Sequence, residues 1–246
     1  REHLVREGIT GSVLSLFPVS MSDLMPLISD MLIRAEAVLF DLDGTLVDTT
    51  VVVERTWRAW AARYGIDPEP ILRVCHGRRT IETIREFAPA GVDPVAETAV
   101  VEGAMTRDTD GIVQVPGAGS LLRSLPPDRW AIVTSATRSM AEARLGQVDL
   151  PMPGILISAE DVMAGKPDPA GYRLAARKLG FDVGRSIVLE DAPAGLAAGH
   201  AAGACVIAVA SHLGPDALAG ENWVADLTGF RVEASDKREL IVRVNG

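Results

Sequence analysis

Ala37-Val38-Leu39-Phe40-Asp41-Leu42-Asp43-Gly44-Thr45-Leu46 is an apolar run that ends in two aspartates one residue apart and then a Gly-Thr turn. A continuous apolar run of this kind is the pattern of a strand buried on both faces, as in a parallel sheet. Ligands of open parallel sheets bind beyond the carboxyl ends of the strands, so this stretch delivers two carboxylates into a crevice. Alternate residues of an extended segment point the same way, and Asp41 and Asp43 address one ligand if the strand geometry persists past Phe40. Like charges so close raise each other's pKa unless a cation lies between them, and a hard, oxygen-seeking ion such as magnesium is the natural occupant. A bare Asp-x-Asp also occurs in ordinary acidic turns; the apolar run before it and Gly-Thr-Leu behind it set this one apart.

Similar runs recur at Trp130-Ala131-Ile132-Val133-Thr134, Ile155-Leu156-Ile157-Ser158, Ser186-Ile187-Val188-Leu189 and Ala204-Cys205-Val206-Ile207-Ala208-Val209, with a weaker one at Trp223-Val224-Ala225. Short continuous runs separated by helix-like segments predict a parallel sheet covered on both faces. Tyr172, Ala175, Ala176 and Leu179 fall on one helical face, and Gly180 supplies the stop. Pro193 stands where a first turn tolerates it, opening a small-residue helix from Ala194 to Ala202 suited to close packing on a sheet. The fold class is α/β, with a Rossmann-like parallel sheet core.

The alternation of strand and helix breaks between Thr50 and Val113. Trp57, Trp60, Ala61 and Tyr64 lie at helical spacing, and no convincing strand is read before the Val115-Pro116-Gly117 turn. An inserted helical cap domain is expected over residues 50–113, with residues 35–49 and 114–246 forming the core. The aromatic pair reads as the core of that insertion in preference to a ligand contact. Residues 1–34 are left as an unassigned N-terminal extension. Pro18, Asp23, Pro26 and Asp30 interrupt it well short of the ~20 apolar residues of a membrane span, and of a signal peptide only the basic Arg1 and Arg6 are in place. The chain begins without Met, whereas Met21 and Met31 lie just before the first strand, so a non-native or upstream-extended terminus is expected.

The 246 residues, 48% of them hydrophobic, suffice for one large domain or a domain with a smaller insertion. A net charge of −9 argues against nucleic acid or an anionic membrane as partner, because both require a basic face. Any phosphate must be met by local charge. Cys75 and Cys205 are far apart and lack metal-ligand spacing, so neither a disulfide framework nor a zinc site is suggested and a reducing cytoplasm fits. Lysine is scarce: Lys166 is the first, followed only by Lys178 and Lys237.

Three more features stand at the ends of the later strands. Ser135-Ala136-Thr137-Arg138 offers a hydroxyl and backbone N–H groups at a helix start, where a phosphate can bind, although Ser and Thr also cap helices for purely structural reasons. Gly165-Lys166-Pro167-Asp168-Pro169 is a rigid turn presenting the first lysine, or else a solvated loop charge. Glu190-Asp191-Ala192-Pro193-Ala194-Gly195 carries a second carboxylate pair into a helix, where an N-cap aspartate is the plainer reading. All four features occur in order, each at a strand end.

On these residues the chain resembles the haloacid dehalogenase-like hydrolase superfamily, in the branch whose helical cap follows the first motif; the resemblance covers about Ala35 to Leu227. Within it, His76-Gly77-Arg78-Arg79-Thr80-Ile81-Glu82-Thr83-Ile84, the Val115-Pro116-Gly117-Ala118 turn and the Glu190 to Gly195 segment resemble the sugar- and polyol-phosphate phosphatases that include glycerol-3-phosphatase and 2-deoxyglucose-6-phosphate phosphatase. The resemblance implies a magnesium-dependent phosphatase in which Asp41 is the nucleophile and Asp43 the acid and base. It further implies that Lys166 steadies Asp41, that Ser135 and the N–H groups around Ala136 hold the transferring phosphate, and that Asp41, the Asp43 carbonyl, Asp191 and Glu190 surround the ion. His76, Arg78, Arg79 and Thr80 of the cap are the implied readers of the leaving group. Two alternatives stay open: a sugar-phosphate mutase resembling β-phosphoglucomutase, which uses the same motifs, and a non-catalytic metabolite- or phosphoprotein-binding module that retains the fold. Dehalogenase chemistry is disfavoured because that branch lacks an aspartate at the position of Asp43, and phosphonate cleavage because residues 51–113 contain no lysine.

Overall fold

The computed structural model describes residues 31–211, 213–234 and 239–245, so residues 1–30 of the unassigned extension lie outside the described residues. The chain runs through β1 (Met31–Ala35) into β2 (Ala37–Phe40) and β3 (Val47–Asp48). Four consecutive helices follow, α1 (Thr50–Tyr64), α2 (Glu69–Leu72), α3 (Thr80–Phe87) and α4 (Pro94–Arg107), and then β4 (Val113–Gln114). Beyond it helices and strands alternate: α5 (Ala118–Ser124), β5 (Trp130–Val133), α6 (Arg138–Gln147), β6 (Leu156–Ile157), α7 (Ala170–Leu179), β7 (Ser186–Glu190), α8 (Pro193–Ala202) and β8 (Cys205–Val209). The chain continues through α9 (Pro215–Leu218), β9 (Trp223–Val224), β10 (Phe230–Ala234) and β11 (Leu240–Val244).

Six strands form one sheet in the order β6-β5-β2-β7-β8-β9, every pair parallel. Each apolar run read from the sequence is one of these strands, and the α/β class holds. Val38 and Phe40 pack with Ile132, Ile187 and Leu189 on one side of the sheet; Leu39 packs with Ala131, Val133, Val188 and the α7 residues Tyr172, Ala175 and Ala176 on the other. With both faces covered, neither set of alternating positions tolerates polar residues, which is why the runs are continuous. From β2 the chain steps outward to β5 and β6, then returns to the opposite side of β2 for β7, β8 and β9. The strand order reverses at β2, and such a switch point opens a crevice at the carboxyl ends.

Two features differ from the sequence reading. Val113–Gln114 is a strand, paired antiparallel with Val47–Asp48, and two residues are too few to show any periodicity. This ribbon joins the two ends of the α1–α4 segment beside the carboxyl end of β2, with the Val115 N–H donating to the Leu46 carbonyl at 3.0 Å. The second difference is Met31–Ala35, whose first four residues the sequence reading places at the end of the unassigned extension; it pairs with β11 in an antiparallel sheet of order β1-β11-β10. Leu240, Val242 and Val244 of β11 are buried, an alternation of the kind a strand with one solvated face shows.

The aromatic residues of α1 behave mainly as core. Trp57 and Trp60 meet edge to face at 5.5 Å, and Trp60 lies 5.2 Å from Tyr64. Trp60 Nε1 donates to Glu97 Oε2 of α4 at 2.9 Å, which ties the first and last helices of the segment together. Among the described residues no helix is long and apolar enough to cross a membrane.

Candidate active site

β2 ends between β5 and β7, and the first residue beyond it, Asp41, remains in the sheet through its N–H, which donates to the Leu189 carbonyl at 3.0 Å. Its carboxylate therefore meets Glu190 and Asp191 at the end of β7. Carboxylate oxygens of Asp41, Glu190 and Asp191 all lie within 4.8 Å of one another, and all three residues are buried. Lys166 reaches into this cluster from the loop after β6, and its buried Nζ donates to both Asp41 Oδ1 and Glu190 Oε1. The Tyr172 hydroxyl of α7 donates to Glu190 Oε1 at 2.6 Å, the Asp191 N–H donates to Glu190 Oε2 at 3.2 Å, and Thr45 Oγ1 donates to Asp191 Oδ1 at 3.1 Å.

Burial pushes the Asp41 carboxyl up to about 8; Lys166 pulls against this, and the carboxylates of Glu190 and Asp43 add to it. Asp191 is likewise raised by burial and then by Asp41 and Glu190. Burial disfavours the Lys166 ammonium, but Asp41 and Glu190 outweigh it and hold its pKa above the ordinary lysine value. The Tyr172 phenol is pushed up by burial and by Glu190, so it keeps its proton and serves as a donor.

The residues present fit a hard divalent cation. Three clustered carboxylates face one ammonium, leaving a net charge of about −2 in a buried site when all are ionised. Asp41 Oδ2 is buried and has no hydrogen-bond partner, which in a native interior asks for one. An all-oxygen donor set of this kind suits magnesium or calcium rather than a soft ion.

Glu190 fits only because of the residue five positions on. A Cβ added at Gly195 in the first turn of α8 would lie 1.9 Å from the Glu190 carboxylate. Gly195→Ala is therefore expected to displace Glu190 or the helix and to cost about 1–3 kcal/mol in urea unfolding. A midpoint equal to the parent's would contradict this packing.

Asp43 faces a cavity beside the cluster rather than the cluster itself. Its Oδ2 lies 2.6 Å from Arg144 Nη1, and its Oδ1 accepts from Thr49 Oγ1 at 3.1 Å. The cavity joins core residues Asp41, Asp43, Ser135, Ala136 and Arg144 to Trp57, His76, Arg78, Thr80 and Met105 of the helical segment. The loop carrying His76 and Arg78 approaches the core through Gly77, whose φ of +72° and the 2.6 Å between an added Cβ and Ala192 Cβ leave room for glycine alone.

The structure thus gathers most of the residues singled out from the sequence, with three departures. Arg79 lies outside this cavity; its guanidinium donates to the carbonyls of Val162 at 2.8 Å and Met163 at 3.2 Å, in the neighbouring cleft beside Lys166. Ser135 Oγ donates to the Gly77 carbonyl at 2.7 Å, and the Ala136 N–H donates to Thr134 Oγ1 at 3.0 Å, so both phosphate-binding candidates have protein partners here. Trp57 is core and cavity wall at once, although the sequence reading preferred core over a ligand contact. Arg144, Thr49 and Tyr172 were not singled out for chemistry. For Arg144 a signal existed, since Met140, Ala141 and Leu145 define the buried face of α6 and Arg144 falls on it.

Comparison with known proteins agrees with this geometry. A family profile described as haloacid dehalogenase-like hydrolase matches residues 35–203. Hexitol phosphatase A of Escherichia coli (strain K12) is 44% identical over 180 residues, covering 72% of this chain and 83% of the relative. 2-Deoxyglucose-6-phosphate phosphatase 1 of Saccharomyces cerevisiae is 34% identical over 238 residues, 86% of this chain and 96% of the relative. Among solved structures, a hydrolase from Pseudomonas syringae superposes with a TM-score of 0.68 at 26% identity, covering 77% of this chain and 92% of that one.

Proposed function

Because this chain belongs to the haloacid dehalogenase-like hydrolases, we propose that it is a magnesium-dependent phosphatase that hydrolyses a small sugar or polyol phosphate monoester through an aspartyl-phosphate intermediate. The observation that carries this reading is Asp41, a buried carboxylate at a strand end, held by Lys166 and flanked by Glu190 and Asp191. An attacking carboxylate needs a fixed direction, a cation to tolerate the phosphate's charge, and a proton donor for the departing alcohol. All are supplied within one crevice.

In the first step an Asp41 oxygen attacks phosphorus, the bond from phosphorus to the ester oxygen breaks, and Asp43 gives its proton to the leaving alkoxide. In the second step Asp43 takes a proton from water, whose oxygen attacks the phosphorus of the acyl phosphate. Inorganic phosphate leaves, and the Asp41 carboxylate is restored. Lys166 orients Asp41 and balances charge on the phosphate oxygens, while Ser135 exchanges its bond to the Gly77 carbonyl for one to the phosphate. Asp41 and Asp191, with Glu190 and the Asp43 carbonyl, are the groups that would hold magnesium, which offsets the repulsion between nucleophile and phosphate.

Helices α1–α4 act in this reading as a cap that excludes water, with His76, Arg78 and Thr80 meeting the leaving group. Arg79 acts instead as a clasp between that cap and the loop carrying Lys166. The test is phosphate release from a panel of hexitol, glycerol and hexose phosphates, with magnesium and with a chelator. Release that requires magnesium and concentrates on a few of these esters is expected. Folded protein that releases phosphate from none of them would overturn the reading.

A further inference from the structure

We propose that Arg144 is a positioning residue that fixes which oxygen of Asp43 exchanges the proton, an inference that rests on the acid and base role given to Asp43 above. Arg144 belongs to α6, whose buried face is otherwise apolar, made by Met140, Ala141 and Leu145. A guanidinium on such a face costs desolvation unless it is paired, and its side chain is 7% exposed. Its Nη1 lies 2.6 Å from Asp43 Oδ2. Thr49, one residue before α1, donates to the other oxygen, Oδ1, at 3.1 Å.

The two contacts are chemically unequal. A guanidinium only donates, so the oxygen it holds cannot present a proton towards it, whereas a threonine hydroxyl donates or accepts according to the state of its partner. Asp43 Oδ1 can therefore carry the proton with Thr49 turned to accept, and lose it with Thr49 turned to donate. Oδ2 stays with Arg144 throughout. The proton passes from Asp43 Oδ1 to the departing alkoxide as its bond to phosphorus breaks, and in the second step a water proton returns to Oδ1. Arg144 also lines the cavity together with Met105 of α4.

The test uses leaving groups that differ in their need for a proton. Glycerol phosphate releases a basic alkoxide; p-nitrophenyl phosphate releases a stable phenolate that needs none. The kcat/KM value reports only the steps up to departure of the alcohol, so it isolates the acid step. In Arg144→Met the ratio of kcat/KM for glycerol phosphate to that for p-nitrophenyl phosphate is expected to fall by about 10²-fold, as expected for loss of a general acid. Asp43→Asn should shift the ratio in the same direction, and the double variant should shift it no further than Asp43→Asn alone.

Equal loss on both esters in Arg144→Met would make the arginine merely structural and overturn the proposal. If Asp43→Asn itself leaves the ratio unchanged, the acid role of Asp43 fails and the proposal falls with it. Should Arg144→Met not fold, Arg144→Lys gives the same comparison, with an expected fall of about 10-fold because an ammonium on a shorter stem meets Oδ2 less well. An unchanged ratio there would overturn the proposal.

Discussion

Asp41→Asn is expected to lower phosphate release by roughly 10⁴-fold or more while leaving the chain folded. An amide cannot attack phosphorus to form an acyl phosphate, so the substitution removes the first step rather than slowing it. The fold has reasons to survive. The strand-end hydrogen bond from residue 41 to the Leu189 carbonyl uses the backbone, and an asparagine oxygen can still accept from Lys166. Lys166 also keeps its pairing with Glu190. The cluster loses one of its mutually repelling carboxylates, so unfolding free energy in chelator should stay within about 1 kcal/mol of the parent. The rise in melting temperature brought by magnesium should shrink, because one carboxylate ligand is gone. Turnover in the variant close to that of the parent would remove Asp41 from the nucleophile's role.

How much of this was readable beforehand depends on the range of the interaction that produces each feature. Strands buried on both faces announce themselves locally, and Phe40, Ile132 and Leu189 each stand in a run that could be nothing soluble and exposed. Lys166 stood out because lysine is so scarce in this chain. Residues whose meaning depends on distant partners gave no such sign. Met31–Ala35 becomes a strand only through Leu240–Val244 at the far end of the chain. The Ser135 hydroxyl looked available, but Gly77 reaches it across the boundary between core and helical segment. Arg79 and Arg78 are adjacent in sequence, yet one meets backbone carbonyls of the core loop and the other lines the cavity beside Asp43. Both precede α3; Arg79, its N-cap residue, has extended backbone with φ of −69° and ψ of 140°, and successive side chains of an extended segment point to opposite sides. Motif spacing finds which residues arrive at a site, and side-chain partners decide what is left for them to do.

Lys166→Met is the second substitution with a large expected effect, and it acts on stability as well as rate. The buried ammonium is the cation seen contacting Asp41 and Glu190, and methionine keeps most of its length while removing its charge. Breaking a buried pair from one side leaves the opposite charges unbalanced, at a cost of about 3–5 kcal/mol. Two features soften that loss: burial already raises the Asp41 and Asp191 carboxyls, which eases uptake of a proton once the ammonium is gone, and Tyr172 still donates to Glu190. A fall of about 3 kcal/mol in unfolding free energy is therefore expected in chelator. Magnesium should restore much of it, since a ligand at 100 times its dissociation constant contributes about 2.7 kcal/mol. Activity should not return with stability, because the ion cannot also replace the donor that orients Asp41. Urea unfolding with and without magnesium, set beside phosphate release, separates the two effects. A variant equally stable in chelator and in magnesium would mean that the carboxylate cluster does not take the ion, and that Lys166 alone balances its charge.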